Sequence, residues 1–254
     1  MKICSVKLST VLITAGVILL VVFGIFCTAC SLSDAVSGEA RMLPVYNVKT
    51  DENKVALTFN CAQSGDIDEL LTVLEAYDVK CTFFLLGSWA EKHPPEVKAI
   101  YDAGHEIGNH GYSHKDLPSM SFESILLDIQ QCNNAIKSIT GHTPTLLRAP
   151  SGAYDNKTIS AAESLGMMTI QWDVDSLDWK NISASEILTR VKDKVQKGSV
   201  IQLHTGTDHT SEALPMILDY LKAQNLTPVT VSELIYFTDY TINHNGTQIK
   251  VSTT

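Results

Sequence analysis

The sequence predicts an α/β fold in which parallel strands and helices alternate to form a distorted (β/α) barrel of seven strands. The chain of 254 residues contains seven short apolar runs, and a segment of helical periodicity follows each run. Nearly every residue of these runs is apolar, which is the pattern of strands covered on both faces, as in parallel sheets. The alternating part spans about 200 residues, a size at which such a sheet closes into a barrel.

In the first half of the chain, turn and cap residues separate the predicted elements. Strands are predicted at residues 55–59, 81–86 and 105–108. Asp66 can cap the helix that follows the first strand, and Pro94 opens another helix that stops before Gly104. The clearest helix begins after Ser121 and is followed by Gly141, which is typical of a helix end. Its apolar residues recur every three or four positions on one face, at Ile125, Ile129, Cys132, Ile136 and Ile139.

The second half repeats the alternation of strand and helix. Further strands are predicted at residues 146–148, 168–172, 199–203 and 227–230. Helices are predicted at residues 156–165, 184–196 and 212–223, and from Ser232 onward. The small and polar residues of 31–50 predict a linker, residues 51–237 one domain, and the polar residues of 238–254 an irregular tail.

Residues 1–30 form a separate segment that predicts export from the cytoplasm. Lys2 and Lys7 precede an uncharged apolar run from residue 8 to residue 29, which is long enough to span a bilayer. An uncleaved membrane anchor, lipid attachment at Cys30 and a cleaved signal peptide remain open. Each of the three places the rest of the chain outside the cytoplasm.

The composition narrows the class of partner. The chain is 44% apolar and carries a formal charge of −9, as is typical of a water-soluble globular domain. Because it is acidic and lacks a Lys- or Arg-rich run, we expect no nucleic-acid partner, and nothing indicates an obligate protein partner. Cys61, Cys81 and Cys132 lie beyond the leader without a C-x-x-C pair, so no disulfide scaffold is predicted.

Polar side chains follow five of the predicted strands at their carboxyl ends. In chain order they are Asn60 and Cys61, His110 and His114, Arg148, the segment 173–179, and His204. The carboxyl ends of parallel barrel strands share one face, where the active sites of such barrels lie. We therefore expect residues that are far apart in the sequence to meet in one cleft.

These segments resemble the five motifs of the polysaccharide deacetylase family. They read Leu-Thr-Phe-Asn60-Cys61, His110-Gly-Tyr-Ser-His114, Arg148-Ala-Pro150-Ser-Gly-Ala-Tyr154, Asp175-Ser-Leu-Asp178-Trp179 and Leu203-His204. The resemblance extends from about Val55 to Ser232 and is greatest to the sporulation-type deacetylases of spore-forming bacteria. Members of the family remove acetyl groups from N-acetylated sugars of peptidoglycan, chitin and related polymers, so an N-acetylated cell-wall glycan is the implied substrate.

The resemblance implies a metal-dependent hydrolase and gives a role to each polar residue. A divalent metal, commonly zinc in this family, would be held by His110 and His114 together with a further ligand. His204 matches the general acid, and Asp178, with Asp175 as the second choice, matches the carboxylate that orients it. Arg148 matches the residue that positions the catalytic base. The implied contacts with the sugar are Tyr154, Trp179, Pro150 and Leu203.

The first motif departs from the family at two positions. The family has Asp-Asp there, a general base followed by a metal ligand, whereas this chain has Asn60 and Cys61. An amide cannot take a proton from water at neutral pH, and loss of a general base costs about 10²- to 10⁴-fold in rate. Cys61 is a candidate third ligand because a thiolate binds zinc, although buried apolar thiols are common. Asp66 and Asp68 are the nearest carboxylates that could replace the base.

Three functions are compatible with these motifs and with the change at Asn60. The first is an extracytoplasmic, metal-dependent deacetylase of cell-wall glycans that is weakly active or uses an altered base. The second is a catalytically inactive relative that binds wall glycan and has a structural role in envelope or spore assembly. The third is another barrel hydrolase that acts on a small ester or amide.

Overall fold

The computed structural model describes residues 40–63 and 65–251, and those from Met42 onward belong to one compact unit. The predicted leader at residues 1–30 lies outside the described residues. None of the helices in the described part of the chain combines the length and the apolar character that a membrane span requires.

A parallel sheet curled into an incomplete barrel forms the centre of the unit. The strands are β1 (Asn47–Lys49), β2 (Lys54–Cys61), β3 (Thr82–Leu85), β4 (Glu106–Asn109), β5 (Leu146–Leu147), β6 (Met168–Thr169), β7 (Val174–Asp175), β8 (Val200–His204), β9 (Thr227–Val229), β10 (Tyr240–Ile242) and β11 (Thr247–Lys250). In the sheet, the strands lie in the order β6-β5-β4-β3-β2-β8-β7. When this sheet curls into a circle, the strands follow one another in chain order, and the circle is open between β6 and β7. The prediction of an α/β fold with a distorted seven-stranded barrel is confirmed.

Two strands of the barrel sheet differ from the sequence prediction. The sequence does not predict β7, which has two residues and pairs with β8 at Val174 and Asp175. The strand predicted near residue 227 is β9, which pairs with the start of β2 and does not extend the circle. Val174 is the one apolar residue of β7, so the local pattern does not indicate a strand, and pairing with β8 defines it.

Helices pack against the barrel and contribute buried side chains to its core. They are α1 (Ile67–Ala76), α2 (Gly87–Ala90), α3 (Pro94–Asp102), α4 (Phe122–Thr140), α5 (Asn156–Ser164), α6 (Ala184–Lys192), α7 (Thr210–Ala223) and α8 (Val231–Leu234). Leu57, Phe59 and Cys61 of β2 belong to the same buried cluster as Leu70 of α1 and Leu214 of α7. Successive side chains of a strand point to opposite faces, so Thr58 and Asn60 face away from this cluster.

Helix α4 confirms the prediction from its apolar stripe. Ile125, Ile129, Cys132 and Ile136 are buried, the Ser121 side chain accepts a hydrogen bond from the Ser124 amide at 3.3 Å, and Gly141 ends the helix with a φ of 75°. The left-handed conformation at Gly141 costs little because glycine has no Cβ.

The C-terminal segment corrects the prediction of an irregular tail at residues 238–254. β10 and β11 pair antiparallel, and β11 pairs in parallel with β1. The Gln248 side chain of β11 is buried, accepts from the Tyr236 amide (2.8 Å) and donates to the Tyr236 carbonyl (2.7 Å). These short polar strands form because distant partners supply their hydrogen bonds, so their own sequence gives no period.

The predicted linker at residues 31–50 is also corrected at its C-terminal end. Val45 and Val48 are buried among Ala56, Ile170 and Val200. The Val45 amide donates to the Thr169 carbonyl (3.0 Å), and its carbonyl accepts from the Gln171 amide (2.7 Å). Residues 45–49 thus extend the hydrogen bonding of the barrel at β6, where the circle is open.

Candidate functional site

The candidate site lies at the carboxyl ends of the barrel strands, where polar side chains turn toward one another. Asn60 is the penultimate residue of β2 and pairs in register with His204, the last residue of β8. His110 directly follows β4, and Arg148 directly follows β5. Short contacts join these residues in the order His110, Arg148, Asn60, His204 and Asp178, so the structure brings the five together.

Arg148 is a fully buried cation whose hydrogen-bond acceptors are neutral. Its Nη1 donates to Thr58 Oγ1 (2.8 Å) and to Asn60 Oδ1 (3.0 Å), and its Nη2 donates to the Gln171 carbonyl (3.1 Å). The guanidinium stacks on the Phe84 ring, 4.1 Å from the centroid. Burial lowers the pKa of Arg148 to about 9. Within the part of the chain that the structure describes, no carboxylate accepts from this guanidinium.

The Asn60 side chain is oriented by Arg148. A guanidinium can only donate, so the amide oxygen Oδ1 must face Arg148 and the amide nitrogen Nδ2 must face the other way. Nδ2 lies 3.4 Å from Nε2 of His204. The Asn60 side chain therefore presents an N–H donor to His204.

His204 is held by two hydrogen bonds to Asp178. Asp178 Oδ1 lies 2.7 Å from His204 Nδ1, and Oδ2 accepts from the His204 amide at 2.6 Å. Asp178 also accepts from the Trp179 amide (2.9 Å) and from Thr210 Oγ1 (2.7 Å). Since a carboxylate accepts, the proton of the ring lies on Nδ1, and Nε2 is the atom directed to Asn60.

A pocket opens beside His204 and Asp178. It is lined by Asn60, Ala62, Gln63, Asp178, Trp179, Asn181, His204 and residues 205–208. Trp179 is 54% exposed, although large apolar side chains are usually buried. Because aromatic side chains combine a large apolar area with a specific geometry, Trp179 offers this pocket a flat contact surface.

His110 and His114 lie together on the loop after β4. His110 is buried, its Nδ1 lies 2.8 Å from the Arg148 carbonyl, and burial lowers its pKa to about 3. A hydrogen bond from Nδ1 to this carbonyl leaves Nε2 unprotonated. His114 is exposed, has a left-handed backbone with a φ of 57°, and places its ring centroid 5.5 Å from that of His110.

Helix α4 holds the histidine loop in place. Asn109 Nδ2 donates to the Ile129 carbonyl (2.9 Å) and to Asn133 Oδ1 (2.8 Å), while Asn109 Oδ1 accepts from the Gly111 amide (2.7 Å). Asp128 of α4 accepts from the Tyr112 amide at 2.7 Å. These buried contacts fix the backbone on both sides of His110.

The metal set that the sequence predicts is not assembled. Among residues 40–63 and 65–251, no three His, Cys, Asp or Glu side chains are grouped so that they could hold a metal ion. Cys61, the predicted third ligand, is buried in the apolar core, and this burial raises the pKa of its thiol. Its side chain points opposite to Asn60, as strand alternation requires. The two imidazoles alone fall short of the three protein ligands of catalytic zinc sites, so the residues present do not fit a zinc centre.

Three of the four predicted sugar contacts do not line this pocket. Leu203 is 0% exposed and belongs to the hydrophobic core, so its side chain cannot reach a glycan. Pro150 is buried beside Gly111, and the Tyr154 hydroxyl lies 3.1 Å from that of Tyr46. Trp179 is the predicted contact that lines the pocket.

Asp66 and Asp175 have structural hydrogen bonds in place of the predicted roles. Asp66 precedes α1 without a side-chain cap bond, and its Oδ1 accepts from the Gly206 amide at 2.7 Å. Asp175 Oδ1 accepts from the Leu177 amide at 3.0 Å. Both carboxylates thereby stabilise loops beside the pocket.

Three further polar residues, Thr58, Gln202 and Thr210, contact the site although the sequence does not predict them. Thr58 and Thr210 hydrogen-bond Arg148 and Asp178, and Gln202 Nε2 lies 3.1 Å from His204 Nε2. The signal for Thr58 and Gln202 is alternation, because a residue two places before a site residue on a strand faces the same side.

Comparison with known proteins identifies relatives of this arrangement. The sequence model described as "Polysaccharide deacetylase" matches residues 47–170. The protein YlxY of Bacillus subtilis is 33% identical over 193 residues, which cover 76% of this chain and 60% of YlxY. A peptidoglycan-N-acetylglucosamine deacetylase of Bacillus cereus is 35% identical over 186 residues, which cover 71% of this chain and 68% of that protein.

Solved structures include a similar protein described as inactive. The CE4 family pseudoenzyme BA3943 of Bacillus anthracis is 33% identical and superposes with a TM-score of 0.73, covering 75% of this chain and 68% of that chain. A mutant of BA3943, described as having restored enzymatic activity, gives the same TM-score of 0.73. These comparisons agree with the fold.

Proposed function

Because this chain belongs to the polysaccharide deacetylase family, we propose that it binds an N-acetylated cell-wall glycan, of the peptidoglycan class, in the pocket beside His204, and that it hydrolyses acetamide groups poorly. The observation that carries this proposal is the Asn60 amide, which donates toward His204 at the position of the family's general base. Without a base, an attacking water keeps its proton, and the expected loss in rate is about 10²- to 10⁴-fold.

The surroundings of Asn60 support impaired hydrolysis rather than an altered base. Arg148 remains in place to position a carboxylate, yet it bonds to neutral acceptors. Asp66 is bound to the Gly206 amide and does not line the pocket, so it is not positioned to act as the base. The incomplete metal set lowers the expected activity further, since two imidazoles fall short of a catalytic ligand set.

The pocket supports glycan binding. Trp179 is exposed at its wall, and Gln63, Asn181 and Asp208 provide polar groups for sugar hydroxyls. Sites for neutral ligands combine apolar surface with a few polar groups in this way. The uncharged run at residues 8–29 favours a location outside the cytoplasm, where an anchor, a lipid or secretion would bring the domain to the wall.

A fully working deacetylase is the second candidate. It is favoured by the His204–Asp178 pair, whose Nδ1–Oδ1 distance of 2.7 Å suits an oriented general acid. The two candidates differ in how fast the wild-type protein releases acetate.

An acetate-release assay on peptidoglycan separates the candidates. We expect the full-length wild-type protein to release little acetate and Asn60→Asp to release at least about tenfold more, because the new carboxylate pairs with Arg148 and accepts the proton of water. Asn60→Ser, which removes the amide without supplying a base, is the matched control and should stay inactive. Robust turnover by the wild type would overturn impaired hydrolysis and favour the second candidate.

Glycan binding is measured separately by co-sedimentation with purified peptidoglycan. Trp179→Ala should weaken binding by about tenfold or more if the indole contacts the sugar. Leu127→Ala is the matched control, because Leu127 is exposed on α4 and does not line the pocket. Equal loss in both variants, or no binding by the wild type, would refute a glycan site in this pocket.

A further inference from the structure

The side chain of Gln202 is a buried polar group beside His204 with an incomplete set of hydrogen bonds. It is 4% exposed and lies two residues before His204 on β8, so the two side chains share a face. Gln202 Nε2 lies 3.1 Å from His204 Nε2. Its oxygen Oε1 is buried and has no partner among the described residues. Buried polar atoms are usually paired, so this oxygen requires an explanation.

Two amide groups are directed at one ring nitrogen. Nε2 of His204 faces Asn60 Nδ2 at 3.4 Å as well as Gln202 Nε2 at 3.1 Å. A neutral imidazole offers one lone pair at Nε2, whereas a protonated imidazole offers one N–H there. The two amide donors therefore compete for a single acceptor when His204 is neutral, and neither can serve it when His204 is charged.

Arg148 fixes which end of the Asn60 carboxamide faces His204, but it does not fix the orientation of the Gln202 carboxamide. Asn60 must keep its oxygen on Arg148 and its N–H on His204, because Arg148 can only donate. Gln202 has no such constraint, since its oxygen has no partner in the described residues. Turning the Gln202 carboxamide by half a turn brings the oxygen to the place of the nitrogen, next to His204 Nε2.

We propose that Gln202 is a positioning residue for His204, whose carboxamide oxygen accepts the Nε2–H hydrogen bond of protonated His204. It supplies the acceptor that position 60 lacks in this chain. Asn60 already donates to Nε2 of the neutral ring, so a second donor from Gln202 is redundant. The distinct contribution of Gln202 is an acceptor for the N–H of the charged ring. The charged form gains more from its bond, because hydrogen bonds with an ionised partner are roughly twice as strong as neutral ones.

The other charged and titratable groups around His204 stay the same when Gln202 is changed. Asp178 bonds to Nδ1, Arg148 acts through Asn60, and Asp208 lines the same pocket. Asp66 bonds to the Gly206 amide in the loop after β8, and His110 interacts with His204 through charge. A change at Gln202 thus reports on the bond to Nε2.

The test is an NMR titration of His204 in the ligand-free, full-length protein with ¹⁵N-labelled histidine, where His204→Gln identifies the resonance. We expect Gln202→Leu to lower the pKa of His204 by about 0.5 to 1 unit, the equivalent of one hydrogen bond. Gln202→Glu should raise it, because a carboxylate accepts more strongly. In the Asn60→Asp background the effect of Gln202→Leu should fall to less than half, since a carboxylate at position 60 then accepts the proton.

Gln171→Leu is the matched control. Gln171 is also a buried glutamine near the barrel strands, but its side chain donates to the Gly152 carbonyl at 2.8 Å. It should leave the titration of His204 unchanged. Gln202→Met replaces Gln202→Leu if the branched side chain prevents folding. An unchanged or raised pKa in Gln202→Leu or Gln202→Met would overturn the proposal. Because the free protein is titrated, this result is independent of glycan binding and acetate release.

Discussion

At the scale of single residues, Asn60 stands where the family resemblance implies a carboxylate, and three partners are affected under the proposed function. An attacking water would lack a base, Arg148 bonds to an amide oxygen in place of an anion, and His204 Nε2 faces an N–H donor at 3.4 Å. The sequence itself gives the identity of Asn60 and predicts the loss of the base. The orientation of its amide depends on Arg148, which lies 88 residues away, so that consequence follows from the structure alone.

Asp173 is a second residue whose surroundings give a testable effect. Its Oδ1 accepts from the Val200 amide (2.8 Å) and its Oδ2 accepts from Ser199 Oγ (3.0 Å), yet burial raises the pKa of Asp173 from 3.8 to about 6. Between about pH 4 and pH 6 the folded protein binds a proton that the unfolded chain has released. The free energy of unfolding should therefore fall as the pH rises through this range, by up to about 3 kcal/mol at 1.36 kcal/mol per pKa unit.

Asp173→Asn removes this titration. Urea unfolding at pH values from 4 to 7 should show a smaller fall in the unfolding free energy for Asp173→Asn than for the wild type. Asp51→Asn, at an exposed position, is the matched control and should keep the wild-type dependence. The same fall in Asp173→Asn as in the wild type would contradict the role of Asp173.

At the scale of elements, α4 links the core to the histidine loop. Its apolar stripe is visible as a period in the sequence because 3.6 residues complete a turn, and the helix forms where that period predicts it. Its polar contacts with Asn109 and Tyr112 have no such period. They depend on which face of α4 meets β4, and this is decided by packing.

Two adjacent asparagines of α4 provide a matched test of this link. Asn133 is buried and accepts from Asn109, whereas Asn134 is exposed. Asn133→Ala should lower the free energy of unfolding by about 1 to 3 kcal/mol, because it leaves a buried donor of Asn109 without one of its partners. Asn134→Ala brings the same gain in helix propensity and should change the free energy of unfolding by less than about 0.5 kcal/mol. Chemical denaturation of both variants checks this, and equal effects would contradict a role of Asn133 in holding the loop.

At the scale of the whole molecule, chain segments from both ends of the described unit form a second sheet beside the open edge of the barrel. Residues 45–49 hydrogen-bond to β6 and to β11, and β10 pairs with β11. An exposed sheet edge is a site for unwanted pairing, and covering it with another segment removes that hazard. The sequence predicts these segments as linker and tail because each of their strands is too short and too polar to be recognised alone.

A truncation measures the contribution of the C-terminal strands. A chain that ends at residue 237 should lose about 3 to 5 kcal/mol in its free energy of unfolding, because the Tyr46 amide and both backbone groups of Tyr236 lose their partners. A chain that ends at residue 251 keeps β10 and β11 and is the matched control. Equal stability of the two chains, measured by urea unfolding, would support the tail predicted from the sequence and contradict the role of β11.

The sequence by itself determined the fold class, the family and the identities of Asn60, His110, Arg148, Asp178 and His204. It did so because the continuous apolar runs of the strands, the 3.6-residue period of the helices and the motif residues are local properties of the chain. The tertiary structure decided that Cys61 lies in the core, that Gln202 lies against His204 and that residues 240–250 form strands. Each of these outcomes depends on contacts between segments far apart in the chain, and such contacts leave no pattern in the segments themselves.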